Sequence, residues 1–536
     1  MTDQGVVASS PVPDPRRWLV LAAMVFGLFM PLLDNLVVNV ALPTIERKLG
    51  TGLSGLQWIV DAYSLAFAAL MLTAGSLGDI YGRKRLFQLG LLVFTLASLA
   101  CGLSTSIGEL IVFRAIQGVG AAMLLPVSLS ILTATFTGKE LGAALGIWGG
   151  SSGLAVAAGP PLGGWLVAHV SWQAIFFVNV PVGVLAFTLT ARFVRESRDQ
   201  RSQRHVDLPG LATGSTAVFF LVYGLIEANA RGWTDAQILG SLAISALLIA
   251  AFIAVESRRD DPMLPLSFFR IRAFTAATVV AVAVFFVFFG SLFFLALFLQ
   301  NVQGYSASQA GVRLLPFSAA FLLGGPIFGR LAVRYGARRF MTAGMMTIAA
   351  GTLLMLRAVP TSSYVPVLLP CFVLLGVGIA STMPPLITTV MRSVDVGWAG
   401  VAASSATTSR ELGGVLGIAV LGAVATSEFH RSLLARLAGV GFSRAGAVAI
   451  VSATSAGGVG GRQSASVLRS AAPPGTSAGQ IHGIITNIQS SFTSGIHAGM
   501  IICTVFALLA ALMAATFVPG KAAMGPPDRE AQVALH

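Results

Sequence analysis

Charge is what this sequence has least of. Only 10% of its 536 residues are Asp, Glu, Lys or Arg, against about 25% in a typical soluble domain. So few charges cannot cover a globule of this size with a water-compatible surface, which excludes an ordinary soluble enzyme or binding domain. Cysteine is nearly absent too. Cys101, Cys371 and Cys503 all sit within apolar runs, so no disulfide framework is expected. The six histidines show no metal-ligand spacing, and neither a metal nor a cofactor is expected. Lysine occurs four times against 30 arginines, a bias that with the Ala and Gly richness suggests a GC-rich bacterial genome. No Gly-x-x-x-x-Gly-Lys-Ser/Thr phosphate loop occurs, which argues against direct drive by ATP. The polar stretch before the first apolar run carries no signal-peptide cleavage pattern, so that run is expected to remain as a membrane span.

What is abundant is apolar: 55% hydrophobic residues and 59 glycines, the small residue that lets membrane helices approach closely. A span needs about 20 mostly apolar residues. On that criterion fourteen spans are expected, roughly 18–41, 56–78, 86–104, 107–135, 142–168, 173–194, 209–229, 237–256, 273–299, 308–332, 340–358, 364–390, 399–427 and 497–518. The fold class is therefore an all-α polytopic membrane protein. With the N-terminus inside, 22 of the 34 basic residues fall on the cytoplasmic side, so both termini are expected there, in a bacterial inner membrane. The net charge of +13 is thus membrane-oriented, and no nucleic-acid partner is expected.

Residues 75–85, GSLGDIYGRKR, are echoed by residues 329–339, GRLAVRYGARR. The pairs Gly75/Gly329, Leu77/Leu331, Gly82/Gly336 and Arg85/Arg339 align at an offset of 254 residues. Such repeats are common in transporters, which place the substrate site between the repeated halves. The expected organisation is a tail at 1–17, a six-helix bundle at 18–194, a linker at 195–207, two additional central helices at 208–257, a second six-helix bundle at 258–518 and a tail at 519–536. Within the second bundle, 428–496 reads as a long external loop rich in Gly, Ser and Ala.

Four motifs and one further stretch resemble the major facilitator superfamily, and within it the fourteen-helix drug:proton antiporters of the QacA/EmrB type. They are Leu33-Asp34-Asn35-Leu36-Val37-Val38-Asn39-Val40-Ala41-Leu42-Pro43, the Gly75–Leu86 segment, Arg114-Ala-Ile-Gln117-Gly118, Gly159-Pro160-Pro-Leu-Gly163-Gly164, and Trp172 through Gly183 with Asn179 and Pro181. Leu36, Gly78, Ile80, Ala155 and Gln173 depart from the commonest family residues. The resemblance runs from about Trp18 to Val518. It implies that Gly75, Asp79, Gly82 and Arg83 form a cytoplasmic gating loop, in which Asp79 and Arg83 latch the halves together. It also implies that Gly159, Pro160, Gly163 and Gly164 form an antiporter motif sealing the halves. Independently, a proline inside a span breaks the hydrogen-bond ladder, and flanking glycines allow tight packing, so a kinked packing helix is the plainer reading of the same residues.

Ionisable groups within spans are costly enough to suggest function. Asp34 lies about 25 Å along its span and Arg114 about 10 Å from the opposite end of its own, at 1.5 Å per residue. The two can therefore share a depth, as a proton or cation site or as a structural ion pair. Glu227 is either a further coupling carboxylate or an interfacial one. Glu411 is a coupling candidate at mid-membrane, and its neighbour Arg410 points elsewhere on the helix. Asp61 and Arg313, near span ends, are expected to snorkel to the interface. The serine-elbow look-alikes at Ser151 and Ser477 lack a strand-to-helix setting, so the chain is not read as a hydrolase.

The functional expectation is a proton-coupled exporter of hydrophobic or cationic drugs and antibiotics working by alternating access. Its partners would be a lipophilic or cationic small molecule, protons and the lipid bilayer, with the monomer as the working unit. One proton moved through 100 mV is worth about 2.3 kcal/mol and one pH unit about 1.4 kcal/mol, together enough for a gradient of roughly 500-fold. A dedicated exporter of one endogenous metabolite shares every motif. An importer, a membrane enzyme or a receptor are remoter alternatives.

Overall fold

The structure, a computed structural model, describes residues 16–136, 138–197, 208–259, 266–394, 399–439, 446–448, 450–451 and 478–520. Among them there are helices and turns but no strand. In chain order the helices are α1 (Arg17–Leu49), α2 (Leu53–Tyr81), α3 (Arg83–Leu103), α4 (Ile107–Thr135), α5 (Gly138–His169), α6 (Ala174–Phe177), α7 (Asn179–Phe193), α8 (Leu208–Arg231), α9 (Ala236–Glu256), α10 (Arg272–Leu297), α11 (Ala307–Tyr335), α12 (Ala337–Leu354), α13 (Leu369–Arg392), α14 (Ala399–Gly439) and α15 (Ala478–Phe517). Eleven segments of the described residues are long and apolar enough to cross a membrane. Helices α2, α5 and α8 stand outside those eleven, and the apolar stretch of α8 runs only over Ala212–Ala228. The expected count of fourteen is therefore not reached on this criterion.

Local sequence explains where the helices stop. The α1–α2 turn is made by Gly50 in the left-handed region (φ +65°), whose N–H caps Glu46 O at 2.9 Å. The repeated motif shows itself as a repeated corner: Gly82 between α2 and α3 has φ +113° and Gly336 between α11 and α12 has φ +97°. A side chain is strained at such angles, which is why glycine stands at both places. Ser106 with Glu109, and Ser306 with Gln309, form capping boxes that start α4 and α11, satisfying amide donors that would otherwise be left open.

The helices pack as two groups, α1–α7 and α10–α15, with α8–α9 as a separate pair. Between the groups, α5 packs on α11, α2 on α14 and α1 on α10. Helix α9 packs chiefly on α8 and leaves Leu239, Leu247 and Ile253 exposed, an apolar outer face suited to lipid rather than water.

The long loop expected at 428–496 is shorter than its composition suggested. Helix α14 continues to Gly439, and α15 already begins at Ala478. Phe429, Leu433 and Leu437 on one helix, and Ile484, Ile488 and Phe492 on the other, are buried in the same cluster. Their four-residue spacing is an amphipathic stripe, which supports a helix without the unbroken apolar run that a span requires.

Candidate functional site

The most polar buried point of the first helix group is built where α1, α4 and α7 meet. Asp34, only 2% exposed, arrives from α1 and Arg114, 0% exposed, from α4. The Arg114 Nη1 donates to Asp34 Oδ2 in a fully buried ion pair. The other carboxylate oxygen, Oδ1, accepts from Gln117 Nε2 at 2.9 Å and from Asn179 Nδ2 at 2.7 Å. Arg114 is held in turn by its Nε donating to Ile59 O (3.1 Å) and by Nη1 donating to Gln117 Oε1 (2.8 Å). Its guanidinium carbon stands 4.2 Å from the centre of the Tyr63 ring. Asn179 donates also to Ser98 Oγ at 3.0 Å, and Tyr63 OH donates to Pro31 O at 3.2 Å.

This is a charge-neutral, heavily hydrogen-bonded centre, as burial of two ions in an apolar bundle requires. One donor is left over: Arg114 Nη2 is buried without a partner. The depth argument from sequence thus brought the right two residues together. It did not assign Gln117, Asn179 and Tyr63 to the same centre, although each is a polar residue in an apolar run and two of them lie in the quoted motifs.

The remaining candidates lie elsewhere. Glu227 belongs to a lateral tie beside the α1–α2 end of the bundle. It accepts from Ser54 Oγ (3.2 Å) and Trp58 Nε1 (3.3 Å), with Arg231 Nε at 3.7 Å. That tie fastens α8 to α2. Val222 and Ile226 on the same helix pack against Val415 and Ala419 of α14, so α8 touches both helix groups. Glu411 is buried on α14, in the second helix group. It is not part of the Asp34 cluster.

The expectation that Asp61 snorkels is wrong. Asp61 is 0% exposed, and neither carboxylate oxygen has a partner. It stands one turn beyond Gln57, whose Nε2 donates across the groups to Ile418 O of α14 at 3.0 Å, and four-residue spacing puts both on one face of α2. Helix packing, not depth alone, decides whether a side chain near a span end reaches the interface. Arg313 fits its expectation better, half-buried with its guanidinium 3.6 Å from the centre of the Tyr305 ring.

The glycine motif of α5 lies where the two groups touch. A methyl group on Gly163 would meet Val37 Cγ1 of α1 at 2.9 Å, and one on Gly164 would meet the Ala307 carbonyl of α11 at 2.5 Å. Gly311 approaches the Pro160 carbonyl just as closely, and Gly159 faces Leu36. The α1–α2 end is closed further by Gln300 donating to Val40 O (2.9 Å) and Asn301 donating to Glu46 Oε2 (3.0 Å). Both side chains come from a π-helical turn, Phe298–Val302, at the end of α10. Such a turn, which re-aims side chains, is frequent at functional sites.

At the opposite end, Gly82 makes the corner of the second motif and Arg83 Nη1 donates to Ser130 O at 3.5 Å. Gly75 and Asp79 lie on α2, but the surroundings of Gly75 and the side chain of Asp79 fall outside what is described, and so does the expected Asp79–Arg83 latch. Glu196, just beyond α7, was not anticipated. Its carboxylate accepts the backbone N–H of Lys84 (3.0 Å) and of Arg85 (3.3 Å), and Arg83 N donates to Ser197 O (3.1 Å). Among the described residues no group of three metal-ligating side chains comes together.

The family model described as Major Facilitator Superfamily matches residues 24–418. The chain is 37% identical over 503 residues to the "Tetracenomycin C resistance and export protein" of Streptomyces glaucescens, covering 93% of this chain and 91% of that one. It is 40% identical over 416 residues to "Multidrug resistance protein Stp" of Mycobacterium tuberculosis, 77% of each. It is also 36% identical over 418 residues to "Puromycin resistance protein pur8" of Streptomyces alboniger, 77% of this chain and 83% of the relative. A solved bacterial homologue of the human lysosomal transporter Spinster, in an inward-facing and unoccupied conformation, superposes with a TM-score of 0.61 at 17% identity. It covers 94% of this chain and 98% of its own, a likeness of fold.

Proposed function

The chain belongs to the Major Facilitator Superfamily, and from that premise we propose that it is a proton-coupled exporter of hydrophobic or cationic drugs and antibiotics, conferring resistance by alternating access. The observation that carries the reading is the buried Asp34–Arg114–Gln117–Asn179 centre. A carboxylate whose charge is cancelled by an arginine can exchange that partner for a proton, and the swap changes what the helices around it can hold. The relatives named for resistance to tetracenomycin C and puromycin and to multiple drugs support the direction of transport.

In this reading the bundle has fourteen spans, α2, α5 and α8 being added to the eleven. They divide as two six-helix halves with α8–α9 between them, and both termini lie in the cytoplasm of a bacterial cell. The excess of arginine then puts the α1–α2 end outside. The glycine contacts of α5 with α11, the Gln300 and Asn301 bonds and the Gln57 bond all close that outer end, so the conformation is sealed to the outside. Substrate enters from the cytoplasm or inner leaflet, and the seal opens to release it. The Gly75–Arg83 loop, tied to Glu196, is the corresponding cytoplasmic element. Protons are carried by Asp34, with Glu411 and the unpartnered Asp61 as further carboxyls, whereas Glu227 serves to hold α8. The monomer contains every element that this cycle needs.

The test is efflux of ethidium from cells expressing the protein, with and without a protonophore, beside Asp34→Asn. Efflux that the protonophore abolishes and the mutant lacks is the expected result. Efflux by Asp34→Asn that is still driven by the proton gradient would remove Asp34 from the coupling. A second reading, an exporter dedicated to one metabolite, is favoured by the relative of nearly full coverage, named for a single antibiotic. It predicts no ethidium efflux from a protein that reaches the membrane.

A further inference from the structure

The two copies of the repeated corner differ in what caps them. At the first, Glu196 supplies an anion. Its carboxylate accepts the N–H of Lys84 and of Arg85 at the start of α3 and lies 3.9 Å from the Arg85 guanidinium. At the second, Arg338 and Arg339 stand at the places of Lys84 and Arg85, and Arg334 stands where the first copy has Ile80. Helix α12 starts there without a side-chain cap, and the first amides of a helix have no partner within it. Among the described residues, Arg334, Arg338 and Arg339 form no ion pair.

The chain shows why. The last residue of α7 opens the run Phe193-Val194-Arg195-Glu196, and the last residue of α15 opens Phe517-Val518-Pro519-Gly520. Val194 and Val518 are both buried, and α7 packs on α3 as α15 packs on α12. Gly520 therefore takes the place of Glu196, and it borders a cavity of about 670 Å³. The other walls are Arg334 of α11, Arg338, Arg339 and Thr342 of α12, and Ala515 of α15. Thr342 Oγ1 is buried without a partner. Three cations and an uncapped helix start thus surround a space from which the repeat has lost its carboxylate. Farther from the corner the lining turns apolar. Met346 follows the wall residue Ala343 on α12, and Leu512 precedes Ala515 on α15, each three residues away on the same helix face. Both are exposed, a surface suited to lipid chains.

We propose that this cavity binds the phosphate of an anionic phospholipid, whose acyl chains lie along the Met346 and Leu512 faces. The phosphate takes the part that the Glu196 carboxylate plays at the first corner: it accepts the amides at the start of α12, where the helix dipole favours an anion. Arginine forks match phosphate oxygens in pairs. A free phosphate would use the same donors and leave the apolar faces idle. The lipid joins α11, α12 and the end of α15 as Glu196 joins α3 to the end of α7. The proposal does not depend on which substrate the chain carries.

The experiment is native mass spectrometry of the full chain in a neutral detergent, titrated with phosphatidylglycerol or phosphatidylcholine. Wild type is compared with the double variant Arg338→Gln/Arg339→Gln, with Lys84→Gln/Arg85→Gln as an equal change of charge at the first corner, and with Gly520→Glu. A side chain fits at Gly520, where an added Cβ meets nothing within 4 Å and φ is not positive. Wild type is expected to bind phosphatidylglycerol at least about tenfold tighter than phosphatidylcholine. Arg338→Gln/Arg339→Gln weakens phosphatidylglycerol about 30-fold, and the change at the first corner less than about threefold. Gly520→Glu restores the internal carboxylate and displaces the lipid with both arginines still in place. Equal weakening in the two double variants, no preference over phosphatidylcholine, or unchanged binding in Gly520→Glu overturns the proposal. So does inorganic phosphate that protects wild type against heat as well as phosphatidylglycerol does, which would give the site to the free ion. Binding that appears only after residues 521–536 are removed would give it to Asp528 or Glu530 of the chain itself, and would overturn it too.

Discussion

Gly164 offers the sharpest test of the outer seal, because the structure gives the size of the perturbation. A methyl group there would stand 2.5 Å from the Ala307 carbonyl oxygen and 3.1 Å from Ser308 Cα. Relaxed carbon–oxygen contacts lie near 3.3 Å, so α5 and α11 must move apart by roughly 0.8 Å in Gly164→Ala. The clash is with backbone and cannot be relieved by a rotamer change. Overpacking of this kind costs about 1–3 kcal/mol, and the cost falls only on the sealed state. The equilibrium therefore shifts toward the outward-open state by about 5- to 150-fold. The readout is the reaction of a cysteine placed at Val40, buried in the seal, with a membrane-impermeant thiol reagent applied from outside. The three native cysteines are all buried and supply little background. Labelling is expected to accelerate at least about fivefold in Gly164→Ala and more in Gly164→Leu. Gly108→Ala, where nothing lies within 4 Å, leaves it unchanged. A folded Gly164→Leu protein with wild-type labelling would refute the seal.

Three further expectations follow from the buried polar groups. Asp34→Asn strands Arg114 in an apolar bundle, so thermal melts in detergent should show a loss of about 3–5 kcal/mol. The double variant with Arg114→Gln should recover stability but not proton-driven efflux. Asp61→Leu removes a carboxyl that bonds to nothing, and melts should show stability unchanged or raised by about 1–3 kcal/mol, while proton-driven efflux falls. A clear loss of stability would mean that Asp61 has a structural partner. Trp58→Phe deletes the bond to Glu227 at a cost of about 1 kcal/mol. Hydrogen exchange should then quicken in α8 and not in α3.

Periodicity and apolar length alone read the architecture well where a helix is buried on all sides. They read it less well where burial is one-sided. Leu433 and Leu437, or Ile484 and Ile488, are too sparse to make an apolar run, yet they extend α14 and α15 through the expected loop. The repeat at Gly82 and Gly336 was legible because a positive φ leaves glycine little competition. The meeting of Asp34 with Arg114 was legible because two charges at one depth in lipid need each other. Asp61 and Glu227 were not, because rise per residue gives depth and not azimuth. Which neighbour a face of α2 meets, α4, α8 or α14, is decided by packing between segments hundreds of residues apart. Glu196 escaped for a similar reason. Its partners are backbone amides of Lys84 and Arg85, and an amide leaves no mark in the sequence.

In the proposed cycle, the polar part of the outer seal is matched to the proton energy that would work it. Among the described residues, hydrogen bonds from Gln57, Gln300 and Asn301 cross between the halves there, each worth about 1 kcal/mol net. One proton falling through 100 mV and one pH unit supplies about 3.7 kcal/mol. A much larger apolar seal would hold the bundle shut against that drive. A wholly apolar contact of the same area would also lack the direction that paired groups give to reclosure. The glycine contacts serve the same end, since backbones that touch without interlocking side chains separate with little repacking. The charged centre at Asp34 lies below this seal and shares α1 with it: Val37 packs on Gly163, and Val40 accepts the bond from Gln300. In the proposed cycle, exchange of Arg114 for a proton at Asp34 would act on the helix that carries both Asp34 and the seal, one and two turns further along.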